Sequence, residues 1–555
     1  MTGAELTWEV LSRLGTTVVF GVPGGAILPL VDALATRQND PIEFVVSRHE
    51  AASIHAADGY ARVTGKPAIV LATSGPGGTN VITGLVTAMT DSVPIVLVLG
   101  QVPTTLIGTD AFQEADLFSM TMPVVKHSWR ITEPQEVADV LLQAWETARS
   151  GRPGPVVVEF PKNIQFMQCP EWKGLPATNA SEIEWEEKPI TWARAKSYLR
   201  SASRPLLYVG GGVVSSGTQD YVMQFAETYD CPVAHTLMGI GAFPSTHPKA
   251  LGMLGMHGTW YANNAMQHAD LVIALGARFD DRVTGKLDEF APNARIIHVD
   301  VDAAELSKLV RPNVAIHGDL RRVLPKMLKI VPNTTHSEWW DTINQWKASH
   351  PLRINPAPEG TIASPAVMQV INRHLRPDDI VVTEVGQHQM WGALFLRREK
   401  PRTFLTSGGA GTMGYGFPAA MGAQFAAGNN RVILIAGDGS FQMNLQELAT
   451  VVQYNIPIWM IVLNNEGHGM VRQWQDLFHG KRRIGVDLVN PDFVRLAESF
   501  GIHGFSVNSE EALDEALRIM ESINGPVLLE VMVPKDEHVF PMVPAGQPLS
   551  MVLEG

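Results

Sequence analysis

Arg431-Val432-Ile433-Leu434-Ile435-Ala436-Gly437-Asp438-Gly439-Ser440 is the stretch whose reading decides the fold. Its first six residues form an apolar run rich in β-branched side chains, the pattern of a strand buried on both faces. Gly437-Asp438-Gly439 is turn chemistry and stops it. A helical pattern follows, with Leu445, Leu448, Ala449 and Val452 expected on one face. A second apolar run, Ile456 to Leu463, ends at Asn464-Asn465-Glu466-Gly467. Asp438 and Asn465 are 27 positions apart, about one βαβ unit. Two parallel strands should therefore end side by side, each with an oxygen-bearing side chain where open α/β sheets bind ligands. Such donors suit Mg²⁺, which takes a few protein oxygens, keeps waters and holds a phosphate. The competing reading is a helix-capping Asp and an Asn at a loop tip.

Working outward, 555 residues suggest three or four domains, and 45% hydrophobic with 18% charged residues is a globular composition. A formal charge of −13 argues against non-specific nucleic-acid binding, while a helix N-terminus or a metal can still bind a small anion. Cys169 and Cys231 alone suggest a reducing compartment without a disulfide framework. No apolar run reaches the roughly 18 residues of a membrane span. The start lacks the basic and apolar stretches of a signal peptide, and Thr2-Gly3-Ala4-Glu5 reads as a capping box opening a helix. These features predict a cytoplasmic protein that binds neither membrane nor nucleic acid.

The fold class expected is α/β, with three doubly wound parallel-sheet domains. The first spans 1–165, with strands at Thr17–Phe20, Ala68–Ala72, Pro94–Leu99 and Pro155–Glu159. A linker from about 166 to 190 carries the acidic run Glu182–Glu187. The second spans 190–332, with strands at Leu206–Val209, Leu271–Leu275 and Ile296–Val301. A proline-bearing linker near 331–362 leads to the third, 362–535, with strands at Ile380–Thr383 and Val527–Val533 besides the opening pair. Residues 536–555 form a tail. Thr73-Ser74-Gly75-Pro76-Gly77 echoes Thr406-Ser407-Gly408-Gly409-Ala410-Gly411, which suggests two similar sheets flanking a different middle one.

Rival motifs fail. Gly409-Ala410-Gly411-Thr412-Met413-Gly414 matches G-x-G-x-x-G, but no acidic residue ends a strand about 20 positions later, as a nicotinamide site requires. Gly59 to Lys66 is one residue too long for a P-loop, and Pro67 replaces its Ser or Thr. H-E-x-x-H and Gly-x-Ser-x-Gly are absent from the sequence. In the middle domain, Gly210-Gly211-Gly212 follows a strand, as do Arg278-Phe279-Asp280-Asp281-Arg282, and Asp300-Val301-Asp302 closes a third. Arg at a strand end can pair a diphosphate, and Asp can accept from ribose hydroxyls. The bland alternative is a surface Arg/Asp cluster.

The chain as a whole resembles the catalytic subunits of acetohydroxyacid (acetolactate) synthases. The matching stretches are Arg48-His49-Glu50, Ser74-Gly75-Pro76-Gly77, Gly108-Thr109-Asp110-Ala111-Phe112-Gln113-Glu114 and Gly151-Arg152-Pro153-Gly154-Pro155. Leu254-Gly255-Met256-His257-Gly258, Arg278 to Arg282, Gly386-Gln387-His388-Gln389-Met390-Trp391, Met470-Val471-Arg472-Gln473-Trp474 and Pro541-Met542-Val543-Pro544 continue the series. The resemblance implies thiamine diphosphate, Mg²⁺ and FAD as cofactors. The first domain would bind the thiamine pyrimidine, the second FAD, and the third the diphosphate. Asp438, Asn465 and the Gly467 carbonyl would hold Mg²⁺. Gly386, Gln387, His388, Gly411, Met413, Gly439 and Ser440 would line the thiamine cofactor. Arg152, Gly210, Gly211, Thr236, Leu237 and Met238 would face FAD, together with His257, Arg278, Asp280, Arg282, Asp300 and Asp319.

The reaction so implied decarboxylates pyruvate and ligates the two-carbon unit to a second pyruvate or to 2-ketobutyrate, within branched-chain amino acid biosynthesis. Glu50 would relay the proton that activates the thiazolium carbon, a general acid–base role. The alternative for Glu50 is an acid favoured in a first helical turn. Gln113 and Lys126 resemble residues beside the reaction pocket. Arg282 and Trp474 resemble the pair that recognises the second substrate by its carboxylate and its alkyl group. The scheme contains no redox step, so FAD would be structural. A homodimer or dimer of dimers would build shared sites, and a small regulatory subunit is a further implied partner. Val22, Ala410 and Glu466-Gly467-His468 depart from the common family pattern. The runner-up function is another thiamine-diphosphate 2-keto acid decarboxylase or carboligase. A non-catalytic nucleotide-binding protein is the third class, and Glu50, Asp438 and Asn465 speak against it.

Overall fold

The buried apolar runs become the central strands of three six-stranded parallel sheets in the computed structural model, which describes residues 1–37, 42–175 and 188–555. The expected acidic run Glu182–Glu187 lies outside the described residues. The first sheet holds β1 (Val18–Gly21), β2 (Glu43–Val46), β3 (Ala68–Ala72), β4 (Ile95–Gln101), β5 (Ser128–Arg130) and β6 (Val156–Pro161), ordered β2-β1-β3-β4-β6-β5. The middle sheet holds β7 (Pro205–Val209), β8 (Val233–His235), β9 (Ala250–Met253), β10 (Leu271–Leu275), β11 (Arg295–Asp300) and β12 (Val314–His317), ordered β12-β11-β10-β7-β8-β9. The third holds β13 (Ile380–Thr383), β14 (Phe404–Leu405), β15 (Val432–Gly437), β16 (Trp459–Asn464), β17 (His503–Val507) and β18 (Val527–Met532). Its order, β14-β13-β15-β16-β18-β17, repeats that of the first sheet, and the middle sheet differs. Helices cover both faces of each sheet, as parallel strands require.

Three elements depart from the sequence reading. The helix expected after Asp438 is broken into Asp438–Phe441, a 3₁₀ segment Gln442–Glu447, and Leu448–Gln453. The break sits at Asn444 (φ −133°), whose amide donates to the Gly414 carbonyl at 2.6 Å. Val452 consequently faces solvent, and Val451 is buried in its place. The strand expected from Ile456 starts at Trp459, because Pro457 has no N–H for the ladder. The linker expected near 331–362 contains the helix Ser337–Ser349. Trp339 and Ile343 of that helix are buried in the middle core, and Trp339 Nε1 donates to the Pro205 carbonyl at 3.0 Å.

The capping box is present as expected, with Thr2 Oγ1 accepting from Glu5 N and Glu5 Oε2 accepting from Thr2 N. The tail returns to the middle unit, where Val543 and Leu549 are buried and Val543 N donates to the Met256 carbonyl at 2.7 Å. First and third units meet along the helices Glu50–Thr64 and Gly416–Ala427. Their backbones approach so closely that a Cβ on Gly422 would strike the Ala56 carbonyl, and one on Gly59 that of Ala419.

Candidate active site

Strands β15 and β16 end in register, Gly437 opposite Leu463, which sets Asp438 beside the Asn464–Gly467 turn. Asp438 is 1% exposed, and burial raises its pKa. Its Oδ2 accepts from Gly467 N at 3.0 Å and from the Asn490 amide at 2.7 Å. Asn490 also donates to Asn464 Oδ1 at 2.8 Å, so one amide ties both strand ends together. Asn465 is half-buried next to it. Among the described residues no group of three His, Cys, Asp or Glu forms a metal cluster. A site of one carboxylate, one amide oxygen and one carbonyl is of a different kind and suits Mg²⁺.

Gly386 caps the helix Gln387–Phe395, which brings Gln387 and His388 to the same sheet edge. Gln387 Nε2 donates to Gln473 Oε1 at 2.9 Å and to the Glu537 carbonyl at 2.8 Å, while its Oε1 is buried without a partner. His388 Nε2 is likewise an orphan, and burial, partly opposed by a hydrogen bond from the ring to the Glu384 carbonyl, lowers the imidazole pKa to about 3. The ring is therefore neutral and able to donate or accept. Gly439 and Ser440 lie in the short helix that Asp438 begins. The His388 ring lies against Gly437 and Gln387 Oε1 against Gly469, at the strand end that carries Asp438. Acceptor oxygens with a neutral imidazole that can donate fit a cation carrying a diphosphate, as Mg²⁺ with thiamine diphosphate would be.

Gly411 and Met413 sit in the loop Gly408–Gly414, where Gly411 adopts φ +62° at an exposed crown. Glu384 was not foreseen from the sequence. It is fully buried, accepts from Gly414 N (2.9 Å) and Phe417 N (3.0 Å), and burial raises its pKa to about 7.

Glu50 opens the helix Glu50–Thr64 after the N-cap His49. It is half-buried and accepts from the Asn80 amide at 2.9 Å. Gln113 lies across the same Ser74–Gly77 loop, with a left-handed backbone (φ +59°) against Gly75. Lys126 is elsewhere. Its ammonium donates to the Thr147 and Ser150 carbonyls at the end of the helix Val137–Arg149, and burial, then the Arg152 charge, lowers its pKa to about 8.

The middle sheet reverses strand order between β10 and β7, and a cleft of about 310 Å³ opens beside these strand ends. Eight of the twelve residues expected to face FAD line it: Arg152, Gly211, Thr236, Met238, Arg278, Asp280, Asp300 and Asp319. The Thr236 hydroxyl is buried without a partner, and burial raises Asp300 to about 6. Arginine, acids and close glycine backbone at a switch point fit a dinucleotide. Gly210, Leu237, His257 and Arg282 are not part of this lining. Gly210 packs on Gly276, and His257 is buried near Pro541. Arg282 is largely exposed, beside Met256 and Asp281. Trp474 packs on Phe478 in the helix Gly469–Phe478. Within one chain Arg282 and Trp474 thus have separate neighbours. A larger cavity of about 530 Å³ between Trp260, Trp391 and Phe540 contains none of the expected site residues.

Fold and site define a class. Models of thiamine pyrophosphate enzymes match the chain in order: the N-terminal TPP binding domain over residues 1–120, the central domain over 192–327, and the C-terminal TPP binding domain over 384–531. The acetolactate synthase large subunit of Parasynechococcus marenigrum (strain WH8102) is 46% identical over 99% of this chain and 90% of its own length. That of Pyropia yezoensis is 44% identical over 98% and 94%. The acetolactate synthase isozyme 3 large subunit of Escherichia coli (strain K12) is 43% identical over 98% and 96%. The chain belongs to the acetolactate synthase large-subunit family of thiamine-pyrophosphate-dependent enzymes.

Proposed function

We propose that the chain is the catalytic subunit of an acetohydroxyacid synthase, converting two pyruvates to 2-acetolactate, or pyruvate and 2-ketobutyrate to 2-aceto-2-hydroxybutyrate. The observation that carries this reading is the buried Asp438 carboxylate at the strand end where the His388 ring lies against Gly437 and Gln387 lies against Gly469, each with a buried atom lacking a partner. When bound, thiamine diphosphate supplies a carbon nucleophile and an electron sink for decarboxylation. Asp438, Asn465 and the Gly467 carbonyl hold Mg²⁺, and Asn490 keeps the Asp438 carboxylate in place. His388, neutral at working pH, offers a hydrogen bond without adding charge. Gly386, Gly411, Met413, Gly439 and Ser440 provide close backbone approach. Glu50 holds and moves the proton that readies the cofactor. Gln113 flanks the reacting centre from the Glu50 side.

Arg282 pairs the carboxylate of the second keto acid, and Trp474 walls its alkyl group. The middle cleft holds FAD, with Arg278 toward the diphosphate and acids toward ribose hydroxyls. The separate neighbours of Arg282, Trp474 and Lys126 within one chain support a site completed by a second copy, in a homodimer or dimer of dimers. Relatives named as large subunits support a small regulatory partner. Two free cysteines, and no described helix long and apolar enough to cross a membrane, support a cytoplasmic enzyme.

Purified protein supplied with thiamine diphosphate, Mg²⁺, FAD and pyruvate should release carbon dioxide and accumulate 2-acetolactate. Acetaldehyde as the sole product would make it a decarboxylase and overturn the assignment.

A further inference from the structure

The glycine loop 408–414 is clamped at both ends by buried carboxylates from different units. At its far end stands Glu384, bonded to Gly414 N and Phe417 N. At its near end stands Asp91, from the first unit, at the end of the helix Ile82–Asp91. Its two oxygens accept from Gly408 N at 3.0 Å and Gly409 N at 2.7 Å. Arg62 bridges two acids there, donating to Asp91 at 2.9 Å and to Asp58 at 2.5 Å. Tyr415, just past the loop, donates to the same Asp58 at 2.8 Å. Midway, the Thr87 and Thr412 hydroxyls meet at 2.7 Å.

The stretch around Asp91 also borders the middle cleft, which Thr90, Asp91 and Ser92 line. Arg152 holds them there, Nε donating to Ser92 Oγ at 2.9 Å and Nη2 to the Thr90 carbonyl at 3.4 Å. The same guanidinium pairs with Asp302 (3.3 Å) and Glu305 (2.9 Å) of the middle unit. Met238, also of the cleft, lies against Gly408, where a Cβ would be 2.5 Å from its sulfur. A diphosphate entering the cleft competes for Arg152 with these acids and so acts on the wall that carries Asp91.

We propose that Asp91 is a positioning residue that couples the two cofactor sites: a dinucleotide in the middle cleft sets the glycine loop through Thr90-Asp91-Ser92, and each cofactor tightens the binding of the other. This rests on the assignment of the cleft to FAD and of the loop to thiamine diphosphate. It gives a flavin without a redox step a defined task. Binding linkage makes the effect reciprocal, and couplings of this kind typically change affinity about 5- to 150-fold.

The test is calorimetric titration of cofactor-stripped protein with thiamine diphosphate at fixed Mg²⁺, with and without saturating FAD. In the parent, FAD should tighten thiamine diphosphate by at least about fivefold. Asp91→Asn, whose amide has a single acceptor oxygen, should bind FAD and lose most of that factor. Ser92→Ala removes the Arg152 contact without disturbing a buried charge, and should also diminish the factor. It carries the test alone should Asp91→Asn fail to fold. Failure of the parent to bind FAD would overturn the cleft assignment and the coupling with it. FAD binding that leaves thiamine affinity unchanged would overturn the coupling alone. Full coupling in Ser92→Ala, and in Asp91→Asn where it folds, would remove Asp91 from it.

Discussion

His55 lies on the inner side of the helix Glu50–Thr64, 2% exposed, its ring 5.5 Å from that of Tyr415. Burial, and secondarily the Arg62 charge, lowers its pKa from 6.5 to about 4. The unfolded chain therefore takes up a proton near pH 6.5 that the folded chain refuses until about pH 4. Between those values the unfolded state binds more protons, so this group erodes stability as pH falls. A variant His55→Asn carries no such proton. Relative to it, the parent should lose up to about 3 kcal/mol between pH 7.5 and 4, read by urea unfolding at several pH values. A pH-independent difference would show that His55 titrates normally. At this scale the sequence marks the positions of Asp438 and Asn465, because turn chemistry at the ends of two buried runs stands out against the strands before it. It does not reveal Asn490, Glu384 or Asp91. Each works through a long-range partner, and an isolated Asn, Glu or Asp in a loop or at a helix end carries no periodicity that would mark it.

The two helices Glu50–Thr64 and Gly416–Ala427 join the first unit to the third by backbone contact at Gly59 and Gly422. Gly422→Ala would put a methyl group against the Ala56 carbonyl with no side chain able to yield. Overpacking of this kind costs about 1–3 kcal/mol, and thermal unfolding should begin earlier in the variant. An unchanged melting temperature would mean that the helices part without cost. The helices themselves were not distinguished by the sequence reading, since small residues on a buried face resemble any alanine-rich segment. Central strands were legible, β3, β10 and β13 to the residue, because burial on both faces writes an unbroken apolar run. Edge strands such as β2, β5 and β17 were not, since a half-exposed strand mixes its residues. The helix after Asp438 departs from its sequence pattern for a different reason: Asn444 leaves the helical path to bond Gly414. Helical spacing cannot register such a detour.

At the scale of the molecule, two sheets of one topology flank a third of another. The repeated pair matches the N-terminal and C-terminal TPP binding domains, and the proposed roles put Glu50 on the first and Asp438 on the third. The middle sheet keeps a separate cleft at its own switch point. On the proposed reading, Glu50 and Asp438 of one site would come from different chains, and a two-fold axis would then give two equivalent sites. Whatever the pairing of chains, the proposed function requires Glu50 to supply the first proton transfer at a cofactor that the third unit anchors. The most direct measurement is hydrogen–deuterium exchange at the thiazolium carbon of bound thiamine diphosphate, sampled by acid quench and NMR. Glu50→Gln preserves size but not the ionisable proton. It should retain the bound cofactor while exchange slows by at least about 100-fold. Exchange at the parental rate, with the cofactor bound, would contradict the account.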